Sequence, residues 1–483
     1  MNLESGGPMK RAFVFIDFDA VIRHFVMSGA FTELEWRYDV TYVVHTDTTS
    51  EKTPINVDID ELGLKRVVRF EVPRTRMGSW DMLYSITALA NQRGTANYAI
   101  RRKIMADVRG WPRTRYYELL SLPVLFPFVR RRLMRKMGVY QPLRDFIFEQ
   151  RPDVVIHPSV LAGYFINELT QICPQAGIPL LVLMNSWDNP SAKAMNTGFP
   201  DILTVWGPQT RRHAIEYMRM PPERVIELGA AQFEVYREPI SESDKELRQM
   251  FRVPATGPVV LYAGVSKSVN ETDHLIAIDT AISEGRIPPC HVIYRPHPWR
   301  GRLVDGEKDF FSMPFRHVSM DPFMENFYRR IVVTPQRGFE LADYRVTARL
   351  LRLVNGVISP LSTMLLEAAM HGIPVIMFYP EGEKSEAGRT IDLGKKLPHF
   401  AEFWGPEGIQ IVSDPAALCD ALKLTLSVHQ SPRVRASLIE HAKKYVVMDG
   451  ARFPVRLADL VDQLSGRGVA EPLKAAQLTL ASN

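Results

Sequence analysis

Short runs of consecutive apolar residues recur along the chain, and between several of them apolar positions return every three or four residues. In the first half the runs are AFVFI (12–16), VTYVVH (40–45), 65–70, DVVIH (153–157), PLLVLM (179–184), 202–205 and 225–228. Helical spacing covers 20–31, 162–172 and 209–218. In the second half the runs are PVVLYA (258–263), HVIY (291–294), VNGVI (354–358) and PVIMF (374–378), with helices expected at 273–283, 361–371, 415–424 and from 433 onward. A strand that is apolar at every position is buried on both faces. Alternation of such strands with helices predicts βαβ units and parallel sheets covered on each side. The fold class expected is α/β.

Between the halves lies a polar stretch, REPISESDKELRQMFR (237–252), followed by VPATGP (253–258). This shift in composition, with its Pro and Gly punctuation, marks a domain boundary. At about 150 residues per domain, 483 residues allow two or three domains, and the strand pattern favours two. Apolar residues make up 46% of the chain and charged residues 23%, which excludes a disordered chain. The three cysteines, Cys173, Cys290 and Cys419, have no metal-binding or disulfide-framework spacing, so a reducing cytoplasm is expected. No run of eighteen apolar residues occurs, and the N-terminus carries no apolar signal core.

Three segments of the second half suit phosphate chemistry. In VNGVISPLSTMLLEAAMHGIPVIMF a strand ends at Ile358. Ser359 is placed to cap a helix with Pro360 at its first position, and Gly372 to end it. Ser362 and Thr363 would then sit in the first turn, where free N–H groups and the helix dipole favour an anion. Glu367, one turn on, would accept from ribose hydroxyls or lie on a solvated face. In HVIYRPHPWRG a strand ends on Arg295-Pro296-His297-Pro298, and the prolines stiffen the backbone that carries a bidentate phosphate ligand and a proton donor. Arg300 and Arg302 add positive charge. In LYAGVSKSVNET, Gly264, Ser266 and Lys267 form a small-residue loop entering a helix, without the P-loop signature.

In the first half, MNSWDNPSAK (184–193) follows a buried strand and concentrates Asn185, Asp188, Asn189 and Lys193. Asp188 is a candidate general base. Asp17 and Asp19 end the first strand and compete for that role, and each carboxylate also has a plain reading as a turn or cap residue. Residues 109–136, from Arg109 to Lys136, hold eight Lys/Arg against one acid, Glu118, around an apolar centre at 119–129. With 59 basic and 54 acidic residues in all, net charge +5, the excess is local. Cations flanking apolar residues suit an anionic membrane surface or a lipid-linked substrate, the alternative being a core helix with a solvated arginine run. No nucleic-acid motif accompanies the cluster, and no nucleic acid is expected as a partner.

Taken together and in order, SWDNPSAK (186–193), the segment 201–236, YRPHP (294–298), SPLSTMLLEAAMHGIPVI (359–376) and VMDGARFPVRLADLV (447–461) resemble GT-B glycosyltransferases. They are closest to bacterial surface-carbohydrate enzymes related to CDP-glycerol glycerophosphotransferases and CMP-sugar transferases. The resemblance implies two Rossmann-like domains facing each other across a cleft. An acceptor-side domain would span 10–240 and a nucleotide-donor domain 255–455, with a helical tail at 456–483 crossing back to the first. By the same resemblance Arg295 and His297 would meet donor phosphates, Ser362 and Thr363 would add hydrogen bonds, and Glu367 would bind ribose. Residues 380–396, where donor-sugar contacts would fall, match no motif.

The expected activity is transfer of a sugar from a nucleotide-activated donor to a surface-glycan or lipid-linked acceptor, in the cytoplasm or at the inner face of the membrane, as in polysaccharide biosynthesis. Asp188 or Asp17 would supply the base if the reaction inverts, and His297 would assist the leaving group. No Asp, Glu or His metal cluster is visible in the sequence, so no metal or other cofactor is expected. The alternatives are a UDP-N-acetylglucosamine 2-epimerase-like enzyme, a polyol-phosphate transferase and a non-catalytic nucleotide-sugar-binding protein.

Overall fold

The computed structural model describes residues 9–466 apart from 46–54, 56, 162, 266–268, 301–302, 305, 334–341 and 381–394. The chain divides into two compact units. The first takes residues up to Glu234 and from Tyr445 onward, and the second runs from Val235 to Lys444. Residues 445–455, placed with the second domain in the sequence reading, therefore belong with the first unit.

The first unit is built on β1 (Arg11–Ile16), β2 (Asp39–His45), β3 (Val67–Phe70), β4 (Val154–His157), β5 (Leu180–Leu183), β6 (Ile202–Val205) and β7 (Val225–Glu227). They form a seven-stranded sheet of order β3-β2-β1-β4-β5-β6-β7, parallel throughout. Alternate residues of β1 enter opposite cores, Phe13 and Phe15 on one face and Ala12, Val14 and Ile16 on the other. The first of these cores is covered by helices that include Arg74–Gln92, Ile166–Ala176 and Pro208–Met218. The second is closed by the C-terminal helix Phe453–Ser465, whose Phe453, Leu457, Leu460, Val461 and Leu464 form one apolar stripe. Arg37 anchors that helix through Asp459 at 2.7 Å and Asp462 at 2.8 Å.

The second unit holds β8 (Val259–Ala263), β9 (His291–Arg295), β10 (Val318–Met320), β11 (Gly356–Ser359), β12 (Val375–Phe378) and β13 (Ile409–Val412). Their order is β10-β9-β8-β11-β12-β13, again all parallel. Both sheets are doubly wound. Chain order reverses at β1/β4 in one and at β8/β11 in the other, and ligands of such sheets bind outside the carboxyl ends of the strands at that reversal.

Two expectations change locally. The helix expected over 20–31 is interrupted: a π-turn Ile22–Val26 follows the short helix Asp19–Val21, and Gly29 at φ 74° lets the chain turn into Thr32–Arg37. The helix expected from Pro360 starts later, at Met364, because Ser359 is held extended in β11 by its pairing with Met377. Ser359 is thus the last strand residue and not a cap. Thr363 takes the cap position, and Ser362 Oγ accepts the Met364 N–H at 3.2 Å. Ser362 and Thr363 precede the helix and do not occupy its first turn.

Candidate active site

In the second unit the carboxyl ends of β8 and β11 bring Gly264 and Ser359 to the reversal point, with Arg295 at the end of the neighbouring β9. Gly264 donates its N–H to the Arg295 carbonyl at 2.9 Å. A Cβ at 264 would come within 2.6 Å of the Glu271 carboxylate, so this close approach needs glycine. Glu271 is buried and accepts the Val265 N–H at 2.8 Å and the Tyr294 hydroxyl at 2.7 Å. It pairs with Arg300, which also binds Glu307 at 2.5 Å. Arg300 is wholly buried between two carboxylates and braces the loop after β8. It adds no free positive charge for a ligand. Ser266, Lys267 and Arg302 lie outside the described residues.

Arg295 differs from Arg300. Its side chain is buried, Nε lies 3.4 Å from Asp321 Oδ2, and Nη1 has no hydrogen-bond partner among the described residues. Burial pushes the Asp321 carboxyl above its usual range, against the pull of Arg295. That weakens the local neutralisation of the guanidinium. Ser359 Oγ, at the end of β11, is also buried without a partner among the described residues. His297 is half-buried, and its Nδ1 accepts the Trp299 N–H at 3.0 Å. With Nδ1 used as an acceptor, the neutral ring carries its proton on Nε2, where it can donate.

Glu367 is buried, not on a solvated face, and accepts the Tyr236 hydroxyl. The Tyr236 ring packs edge-on against His371 at 4.8 Å, and His371 Nδ1 bonds the Glu367 carbonyl at 2.8 Å. Burial holds His371 below the usual imidazole range. Nothing in the local sequence around Tyr236 signals this contact, since the partners are far apart in the chain.

In the first unit, Asp17 at the end of β1 and His157 at the end of β4 are both fully buried and meet at 2.8 Å through Oδ2 and Nε2. His157 Nδ1 lies 2.7 Å from the Ser159 carbonyl, which can only accept, so Nδ1 carries a proton. Asp17 Oδ1 accepts the N–H groups of Tyr164 and Phe165 at 3.1 and 3.3 Å. A Cβ at Gly163 would fall on the Asp17 carboxylate. Both oxygens of Asp17 are therefore engaged. Asp19 is buried too, its Oδ1 accepting the Val57 N–H at 3.4 Å.

Asp188, after β5, leads into the π-turn Asn189–Lys193 and pairs with Lys193 at 2.7 Å. It is partly solvent-accessible, unlike Asp17. The backbone of this turn is gripped from outside the loop. Tyr84 donates to the Lys193 carbonyl at 2.5 Å, Arg101 to the same carbonyl at 3.1 Å, and Asn97 to the Ser191 carbonyl at 2.6 Å. His24 completes the cluster, within reach of the Asn185 backbone and the Lys193 charge. Burial first, with Arg23 and Lys193 adding to it, holds its imidazole down at about 3, so it is neutral at working pH. The sequence reading passed over His24. A lone imidazole in the apolar run AVIRHFVM just after a strand end was the available signal.

Neither a protein-family model nor a curated protein matches the sequence. Among solved structures, the chain is similar to the glycotransferase of kitacinnamycin at 12% identity, over 95% of this chain and 100% of that one, with a TM-score of 0.51. It is likewise similar to UGT89C1 of Arabidopsis thaliana, complexed with quercetin, at 12% identity over 95% of this chain and 100% of that one, with a TM-score of 0.50. These likenesses show the fold: the chain has the GT-B architecture of two Rossmann-like domains.

Proposed function

We propose that the protein is a glycosyltransferase that moves a sugar from a nucleotide-activated donor to a glycan or lipid-linked acceptor, in polysaccharide biosynthesis at the cytoplasmic face of a membrane. The observation that carries this reading is Arg295, a buried guanidinium at a strand end beside the reversal point, with Nη1 unpartnered among the described residues. A buried donor of this kind is costly unless a ligand satisfies it, and a planar guanidinium suits a phosphate. His297 Nε2 and the hydroxyls of Ser362 and Thr363 would share the diphosphate with Arg295. Gly264 would meet the phosphates at the end of β8, and Ser266 and Lys267 would add further donors. Glu367 would exchange its bond from Tyr236 for one from ribose. Neutralising charge as it develops on the departing phosphate lowers the barrier to transfer.

For the acceptor hydroxyl we assign Asp188 as base, with Asp17 as a positioning residue. Asp17 is sealed from solvent, whereas Asp188 is partly accessible, its Oδ2 paired with Lys193 at 2.7 Å and its Oδ1 accepting from the Asn189 side chain at 3.1 Å. His24 stays neutral beside it. The test is incubation with nucleotide-sugars with and without acceptor. Transfer that needs acceptor, and falls about 100-fold or more in Asp188→Asn as expected of a general base, supports the reading. Interconversion of the donor sugar without acceptor would instead identify an epimerase.

A further inference from the structure

Between β3 and β4 the chain departs from the simple doubly wound pattern and forms five helices, Arg74–Gln92, Tyr98–Arg109, Trp111–Leu120, Phe126–Met137 and Gln141–Gln150. Their two sides differ in chemistry. The inner side is where Tyr84, Asn97 and Arg101 hold the backbone of the Asn189–Lys193 turn. Inner cations are neutralised, Arg109 by Asp81 at 2.6 Å and Arg102 by Glu118 at 2.9 Å. Phe126, Val129 and Leu133 turn one stripe of Phe126–Met137 toward the core, yet no residue of that helix is fully buried.

The outer side carries the helices Trp111–Leu120 and Phe126–Met137, each packed on Arg74–Gln92, with an apolar turn between them. Of the sixteen large apolar side chains exposed among the described residues, eight fall within 108–128. Leu119, Leu122, Val124, Leu125 and Phe128 cluster at the turn between the two helices, with Trp111 at the start of the first. Exposed cations flank them: Arg113 and Arg115 on one arm, and Arg131, Arg132, Arg135 and Lys136 on the other. The last four have no acidic partner among the described residues. Scattered exposed apolar residues need no explanation, but a concentrated set rimmed by unpaired cations does. An apolar tip enters the acyl boundary while cations stay at headgroup depth, which is how an interfacial element binds. The charge sign selects an anionic surface. No helix among the described residues is long and apolar enough to cross a membrane.

We propose that this helix–turn–helix segment docks the protein on an anionic lipid bilayer. Because the inner side of the same helical insertion grips the turn that carries Asp188 and Lys193, docking would fix that turn relative to the bilayer that holds a lipid-linked acceptor. The acceptor half of this inference rests on the transfer reading; the docking half does not. Each unpaired cation near an anionic surface strengthens binding roughly fivefold, and the cationic share of the binding weakens with salt.

The experiment is flotation of the full chain with vesicles of phosphatidylcholine alone or mixed with phosphatidylglycerol. Wild type is expected to float with the mixed vesicles and stay down with phosphatidylcholine. Arg131→Glu/Arg132→Glu is expected to lose binding by more than tenfold at low salt, and Val124→Ser/Phe128→Ser to lose what persists at high salt. All four positions are exposed or rim-facing, and circular dichroism checks that the variants stay folded. Wild type remaining at the bottom with mixed vesicles, or both variants floating like wild type, overturns the proposal. So does a dimer in solution that the Val124→Ser/Phe128→Ser variant dissolves, since a second copy would then cover the tip. Arg295→Met should float normally, so loss of the donor site and loss of docking are read separately.

Discussion

Buried imidazoles make the stability of this protein sensitive to acid, His24 and His291 among them. Burial and its neighbours hold His24 down at about 3, and burial with nearby His317 holds His291 at about 4, against 6.5 for the free side chain. A group whose folded pKa is depressed binds fewer protons in the native state, so stability is full above about pH 6.5 and drains as pH falls toward these values. The urea midpoint is expected to drop between about pH 7 and about pH 5, and His291→Asn to flatten that slope by one proton's share. An unchanged slope in the variant would contradict the assignment. Gly163 offers a steric counterpart. A methyl there falls on the Asp17 carboxylate, and Gly163→Ala is expected to cost about 1–3 kcal/mol in denaturant unfolding by overpacking. Single residues were also where the sequence was least legible. Arg295 and Asp188 stand out because each follows an apolar strand. The bond from Tyr236 to Glu367 and the pairing of His157 with Asp17 join residues more than a hundred positions apart, and no local pattern encodes such pairs.

Among the elements, sequence patterning found the strands buried on both faces, such as β4, β5, β8 and β12, and also the partly exposed edge strands β3 and β7. The edge strands β10 and β13 escaped it. The first has three residues, and the second is half-exposed at three of four positions, so neither shows an uninterrupted apolar run. The late start of the helix Met364–Met370 was hidden for another reason: Ser-Pro is a good helix entry by local chemistry, but the pairing of Ser359 in the sheet overrides it. The C-terminal helix Phe453–Ser465 carries its own test. Leu457 is fully buried in the core beneath it. Leu457→Ala is expected to lower the unfolding free energy of the first unit by about 2–5 kcal/mol. A loss below about 0.5 kcal/mol, the range of surface substitutions, would mean that this helix does not close the core.

For the whole molecule, a balance of charges near neutrality conceals a sharp separation. Arg300, inside the second unit, is matched by Glu271 and Glu307. Arg131, Arg132, Arg135 and Lys136 of the helix Phe126–Met137 have no acidic partner among the described residues. Arg295 lies between these cases, buried beside one carboxyl whose ionisation burial opposes. The central claim is that this guanidinium receives the phosphates of a nucleotide-sugar. The most direct measurement is a thermal-shift screen of wild type and Arg295→Met against CMP, CDP, UDP, GDP and dTDP. A nucleotide at about 100 times its dissociation constant should stabilise wild type by about 2.7 kcal/mol. Removing a charged hydrogen bond worth about 1.5–3 kcal/mol should shift the variant's affinity by tenfold or more. No shift of wild type with any of these nucleotides, or an equal shift in Arg295→Met, would contradict the account.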